Sequence, residues 1–394
     1  MQRDGAAYAL GSAGDQHDGP DRFHASFSTM RAMSSTGAES LSARLQERVQ
    51  QAIRAAGGWL PFDRVMAMAL YEPGLGYYTR GGTVFGLMPA SGSDFVTAPE
   101  LSPLFGRTLA RQVAQALDAA QAHTVIEFGA GSGVLAAQLL GALGESVRSY
   151  AIVDLSGTLR ERQAQTLAPW ADRVQWLDAW PETIHGVVIG NEVLDAMPVQ
   201  LLHWDGTQWL ERGVDAALQW SDRPTPLRPP VAGPFPPGTV TEIHPQAEAF
   251  MRTLADHLAR GAAFFIDYGF PEAEYYHPQR TGGTLMCHRA HRADDQPLVD
   301  IGDKDITAHI NFTGIALAGQ DAGLDVLGYT SQARFLINCG LTDLLQGADI
   351  RTTAHAQKLI TEHEMGELFK VIAFGRGVQL DPIGFSAGDR LHTL

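Results

Sequence analysis

From residue 123 onward, short apolar runs alternate with helix-like stretches, and that alternation leaves the chain few architectures. Buried-strand patterns fall at 123–128, 150–154, 173–177, 186–190 and 262–268, and helical periodicity at 159–167 and 246–260 separates several of them. Repeated strand, helix, strand connections put parallel strands in one sheet with helices on both faces. The expected fold class is therefore α/β, a Rossmann-like, mostly parallel sheet. A helix at 312–322, a run at 324–329 and a closing strand at 368–374, expected to be antiparallel, complete it.

Other segments lie outside this rhythm. Helical spacing covers 41–56 and stops at Gly57-Gly58, where glycine suits the left-handed cap. Pro61 opens a short helix to Tyr71, a Gly-, Pro- and aromatic-rich loop or lid spans 72–99, and a helix covers 100–120. The expected organisation is a disordered leader at 1–40, a helical and lid region at 41–121, a core at 122–375 and a tail at 376–394. Two insertions are expected in the core, at about 199–245 and 270–304. The first reads as a hairpin, 200–204 and 208–214 about an Asp205-Gly206 turn, followed by a Pro-rich stretch at 224–237. The second reads as a polar loop. The leader has no apolar core for secretion, and Asp4, Asp15, Asp18 and Asp21 argue against a mitochondrial presequence.

Charge narrows the partners. The 394 residues carry 29 Lys+Arg against 44 Asp+Glu, a formal charge of −15, with no basic cluster to displace counterions from a nucleic acid. A neutral or cationic substrate is the natural expectation. At 45% hydrophobic and 19% charged, the chain has material for a packed core, yet no run approaches the roughly 20 apolar residues that cross a bilayer. Cys287 and Cys339 form no disulfide framework, and Cys287-His288 with His291 lacks the usual zinc spacing, so no metal is expected. Lys304, Lys358 and Lys370 are the only lysines, a usage typical of a GC-rich bacterial genome. A bacterial cytoplasmic location is the corresponding expectation.

The strongest local signal is Glu127-Phe128-Gly129-Ala130-Gly131-Ser132-Gly133, after a strand and before a helix. Such glycines let backbone pass close beneath a nucleoside-bearing ligand, with helix N-terminal amides facing it. A dinucleotide fingerprint wants Gly at Val134, whereas G-x-G-x-G behind an acid is what class I methyltransferases display, so S-adenosylmethionine is favoured over NAD. Asp154, ending the second strand, suits a ribose diol. Asp178, after the third strand, is read equally as a contact to the adenine edge or as a solvated strand end, with Trp180 nearby. Glu127, on a central strand, needs a partner, either the ligand's amino group or an arginine.

A second constellation, Gly190-Asn191-Glu192-Val193-Leu194-Asp195-Ala196-Met197-Pro198, falls at the carboxyl end of the fourth strand, where open α/β sheets carry their chemistry. Glu192 and Asp195 are three apart and would share one face of a helical turn. They are read as a carboxylate clamp, with a helix cap formed by Asn191 and Asp195 as the alternative.

These two motifs, together with Ser93-Asp94-Phe95-Val96-Thr97-Ala98-Pro99-Glu100, Ile266-Asp267-Tyr268-Gly269, Asp305-Ile306-Thr307-Ala308-His309 and Met365-Gly366-x-x-Phe369-Lys370-Val371, give the chain a resemblance to the MidA-like family of class I methyltransferases, across residues 60–375. That family includes the mitochondrial complex I assembly factor seven. The resemblance implies S-adenosylmethionine-dependent methylation of a protein arginine, in the mitochondrial members symmetric dimethylation on a complex I subunit. Asn311 departs from the pattern, since relatives commonly carry Asp there. Glu192, Asp195, Asn191 and His309 are the candidate catalytic residues; Glu127, Gly129, Gly131, Gly133, Asp154 and Asp178 are the candidate cofactor residues. His309 is read as a proton acceptor or a structural hydrogen-bonding residue. The rival functions are an assembly chaperone that keeps the cofactor pocket without turnover, and an NAD-dependent oxidoreductase.

Overall fold

A computed structural model describes residues 28–80, 97–154, 157–290 and 292–394. Residues 1–27 of the expected leader, residues 81–96 of the expected loop or lid, with the Ser93 to Val96 part of the motif ending at Glu100, and His291 lie outside the described residues. The chain divides into two units, Met1–Leu41 and Ser42–Leu394, and the second holds the sheet and the candidate site. Residues Ser28–Ala55 are helical, so helix begins inside the stretch expected as leader.

Seven strands build the central sheet: β1 (Thr124–Phe128), β2 (Ser149–Val153), β3 (Val174–Leu177), β4 (Ile184–Asn191), β5 (Leu258–Phe270), β6 (Asp325–Ser331) and β7 (Phe369–Arg376). Their order is β3-β2-β1-β4-β5-β7-β6. All pairings are parallel except those of β7, which runs antiparallel to β5 and β6. This is the expected Rossmann-like, mostly parallel sheet, with the closing antiparallel strand where it was expected. A two-residue strand, Ile310–Asn311, pairs in parallel with the far end of β5.

Strand periodicity sorts the core. Val187 and Ile189 point to one face with Val125 and Phe264, where the helices Pro103–Ala120 and Val134–Leu143 pack. Val188 points to the other face with Ile126 and Phe265, beneath the helices Pro245–His257 and Phe312–Asp321. The expected single helix at 100–120 is two helices, Ala98–Leu101 and Pro103–Ala120. Pro103 drives Ser102 out of the helical region, to φ −148°, and the Ser102 hydroxyl then caps the second helix at the Leu104 amide.

Both insertions hold more structure than expected. The hairpin strands Gln200–Trp204 and Trp209–Asp215 belong to a five-stranded antiparallel sheet with Trp220–Pro224, Val240–Ile243 and Trp59–Pro61. Gly213 allows this last pairing, because a Cβ there would lie 2.2 Å from the Leu60 carbonyl oxygen. The region read as a polar loop contains Met286–Arg289 and Arg292–Asp294, which form a small sheet with Asp305–Thr307. Among the described residues, no helix is long and apolar enough to cross a membrane.

Candidate active site

A cavity of about 1020 Å³ opens at the carboxyl ends of β1, β2, β4 and β5. Its floor is the turn after β1. Gly129, Gly131 and Gly133 have φ of 64°, 54° and 81°, a left-handed backbone that is costly for other residues. Gly129 and Gly131 face the cavity, while Gly133 caps the helix Val134–Leu143 instead.

The acids around this turn are held in different ways. Glu127 is buried, and the Tyr150 hydroxyl donates to its Oε2 at 2.6 Å. Of the two expected partners, the ligand's amino group or an arginine, the protein side is filled by a tyrosine rather than an arginine. Burial, reinforced by Asp154, pushes the Glu127 carboxyl up to about 7. Asp154 Oδ2 accepts Gln163 Nε2 at 2.8 Å, and the same amide donates to the Gly131 carbonyl at 3.0 Å. Gln163 Oε1 in turn accepts the Trp176 indole at 2.8 Å. Gln163 therefore ties the glycine turn to Asp154, a role the sequence did not advertise within its polar helix, Gly157–Thr166. Asp178 reaches the cavity with its side chain 89% exposed and ion-paired to Arg160 at 2.7 Å. Close by, Trp180 packs on Phe128 and Phe250, with ring centroids 4.4 and 5.0 Å apart.

At the other end lies the chain after β4. No helix starts here, so the expected helical face does not bring Glu192 and Asp195 together, and neither Asn191 nor Asp195 caps one. Glu192 instead takes φ 53°, and Asp267 of β5 gathers the turn: its Oδ2 accepts the amides of Val193, Leu194 and Asp195 at 3.2, 2.9 and 3.3 Å. The Tyr268 hydroxyl donates to Asp195 Oδ2. Asn191 Nδ2 donates to Glu192 Oε1 at 3.1 Å, and the Ala98 amide also donates to the Glu192 carboxyl, joining the 93–100 motif to this turn. Burial, then repulsion from Asp195, raises Glu192 to about 8; burial raises Asp195 to about 6. Asp267 is raised well above the carboxylate range, by burial and then by Asp195 and Glu192.

His309 edges against Tyr268, ring centroids 5.1 Å apart, and its carbonyl accepts His244 Nε2 at 2.8 Å. Burial, with Arg280 and Lys370 nearby, lowers its imidazole to about 4. Asn311 caps the helix Phe312–Asp321 by accepting the Gly314 amide, a task Asp performs equally well. The family's usual acid at this position is therefore not needed for the fold here.

Three buried polar atoms of residues on the cavity wall have no hydrogen-bond partner among the described residues: the acceptors Asn191 Oδ1 and Asp195 Oδ1, and the ring nitrogen His309 Nδ1. The outer wall comes from the flanking elements. Tyr71 stacks on Tyr78 with ring centroids 5.7 Å apart, and the Tyr78 hydroxyl donates to Asp305 Oδ1 at 2.8 Å. The described lining includes seven acids (Glu100, Glu127, Asp154, Asp178, Glu192, Asp195 and Asp305) and neither lysine nor arginine.

Residues 108–330 match the family model described as "Putative S-adenosyl-L-methionine-dependent methyltransferase". The chain belongs to this family. A crystal structure of a Burkholderia thailandensis protein bound to S-adenosyl-homocysteine is 53% identical, covers 91% of this chain and 98% of its own, and superposes with a TM-score of 0.87. Among curated proteins, the zebrafish (Danio rerio) protein arginine methyltransferase NDUFAF7, mitochondrial, is 27% identical over 80% of this chain and 83% of its own length. Its Drosophila melanogaster homolog is 25% identical over 88% and 84%. The chain is thus an S-adenosylmethionine-dependent methyltransferase. The left-handed glycines bring bare backbone to the cavity, and Asp154 stands buried at the end of β2.

Proposed function

We propose that this methyltransferase acts on the guanidinium of an arginine in a protein. The observation that carries the reading is the acceptor end of the cavity wall, where Glu192, Asp195 and Asp305 gather without a lysine or arginine in the described lining, which favours a cation. The names of the NDUFAF7 relatives point the same way. Glu127, Gly129, Gly131, Asp154 and Asp178 would hold the cofactor, with Gly133 starting the helix behind it. When bound, S-adenosylmethionine supplies a methyl group on a sulfonium.

A guanidinium brings five N–H donors in a planar fork and stays protonated at working pH. Glu192, Asp195 Oδ1, Asn191 Oδ1 and His309 Nδ1 offer the matching acceptors. An opposite charge at 4 Å is worth about 4 kcal/mol at an effective dielectric near 20, so an entering cation favours the ionised form of both carboxyls. Holding charge toward two nitrogens leaves electron density on the third. The methylated nitrogen must then lose one proton. Glu192, with a resting pKa of about 8, is suited to take it, and the neutral His309 is the alternative acceptor. Tyr268 and Asp267 keep the acids in place.

The family resemblance extends the proposal to a respiratory complex I subunit as acceptor, and to symmetric dimethylation as product. Cys287 and Cys339 are buried free thiols, in keeping with a reducing cytoplasm. The test is mass spectrometry of a strain lacking the protein, paired with methylation of its extract by the purified chain. One arginine should lose its methyl groups in the strain and regain them in the extract. If every arginine keeps its methylation, the proposal fails.

A further inference from the structure

A second cavity, of about 620 Å³, adjoins the first, and Leu368, 40% exposed, lines both. Its walls are Phe270 and Pro271 at the end of β5, the turn Glu362–Gly366, and Tyr329, Lys370 and Arg390. Its two cations are already engaged. Arg390 pairs with both oxygens of Glu367, and Lys370 donates to the Glu367 carbonyl with the carboxylate 3.6 Å away. Four acids, Glu274, Glu362, Glu364 and Glu367, against these two cations leave two net negative charges on the wall. Tyr329, which lines this cavity, is fully buried, and its hydroxyl, within the electrostatic reach of Glu274, Glu367 and Arg390 of the same wall, has no hydrogen-bond partner among the described residues.

We propose that this cavity receives a lysine or arginine side chain of the substrate protein, beside the arginine that is methylated. The inference rests on the arginine reading above. An ammonium or guanidinium matches the excess acid and gives the Tyr329 oxygen a donor, while Phe270 and Pro271 offer apolar surface to the aliphatic stem. The two cavities share a wall, and in an extended peptide the nearest residues pointing to the same side are i and i+2, about 6–7 Å apart. The basic residue is therefore placed two positions from the target.

The test measures kcat/KM of the full-length protein, with S-adenosylmethionine, on peptides of one arginine flanked two residues away by Lys, Ala or Glu. Lys should exceed Ala by about 1.5- to fivefold, as expected for exposed charge pairs, and Glu should fall below Ala. In the E362Q/E364Q double variant the Lys/Ala ratio should drop toward one, and in Y329F it should fall in part. The ratio reads folded enzyme only, because both peptides meet the same preparation. Equal rates on all flanks would overturn the subsite and leave the arginine reading standing. A Lys preference that survives both variants would place the basic residue elsewhere and overturn it too. Binding of S-adenosylhomocysteine with no methylation of any arginine peptide would overturn the arginine reading and the subsite together.

Discussion

Asp267 Oδ2 accepts the Leu194 amide at 2.9 Å, and this bond anchors the turn that presents Glu192 and Asp195. The other oxygen, Oδ1, accepts the Tyr268 amide at 3.0 Å, so both faces of the carboxyl meet donors. Asn can satisfy only one side, and its NH₂ would oppose an N–H on the other. Asp267→Asn should lower kcat by about 100-fold with cofactor affinity nearly intact, as for a misplaced reacting group. Single-turnover kinetics with calorimetry for S-adenosylhomocysteine would check it, and a loss of cofactor affinity instead would contradict the anchoring role.

Glu192→Gln keeps the shape and the Asn191 contact but removes the charge. Methyl transfer should fall by about 10²- to 10⁴-fold, the usual range for a lost acid or base, while cofactor binding stays within about threefold. Unchanged turnover would remove Glu192 from the mechanism.

Burial raises Glu192 to about 8 and Asp195 to about 6 in the free enzyme. Both must be ionised to hold a guanidinium, so kcat/KM for an arginine peptide should climb as pH rises through 6 to 8 and level off above. Glu192→Gln should erase the upper inflection. A profile flat from pH 5.5 to 9 argues against a cation in this pocket.

Glu127 has its folded-state pKa raised from 4.5 to about 7. The folded protein keeps this proton over a range where the unfolded chain has lost it, so the contribution to stability falls as pH rises from about 4.5 through 7. Glu127→Gln should remove that decline and stabilise the cofactor-free protein at pH 8 by up to about 3 kcal/mol. It should also weaken cofactor binding about tenfold, and melting curves at pH 5 and 8 with and without S-adenosylhomocysteine would separate the two effects.

Gly129→Ala places a Cβ 3.0 Å from Val193 Cγ2 at a φ of 64°. The left-handed backbone alone costs roughly 1–2 kcal/mol. A lower melting temperature and about tenfold weaker cofactor binding are expected, both measurable by thermal shift.

The cofactor end of the site was legible because its signals are local. A glycine turn between a strand and a helix, and an acid at a strand end, are fixed by residues adjacent in the chain. The acceptor end was less so. Glu192 and Asp195 are candidates from their place after β4, but what aims them is Asp267, some seventy residues on, and a left-handed conformation that no spacing rule announces. Trp59–Pro61 has three residues, too few for a periodicity, and its partner Trp209–Asp215 is remote in sequence. Tyr150 and Gln163 are polar partners hidden in an apolar strand and a polar helix, so their contacts with Glu127 and Asp154 emerge only when the sheet is assembled.

The Trp59–Pro61 pairing also divides the molecule's freedom to change. The half of the cavity around the glycine turn and Asp154 is made of sheet and turns, whereas Tyr71 and Tyr78, on its outer wall, follow a strand stitched into an insertion. Drift in that insertion can reshape the entrance while the half around the glycine turn stays untouched. Descendants of one ancestral enzyme could thus come to modify different proteins with an unaltered methyl donor.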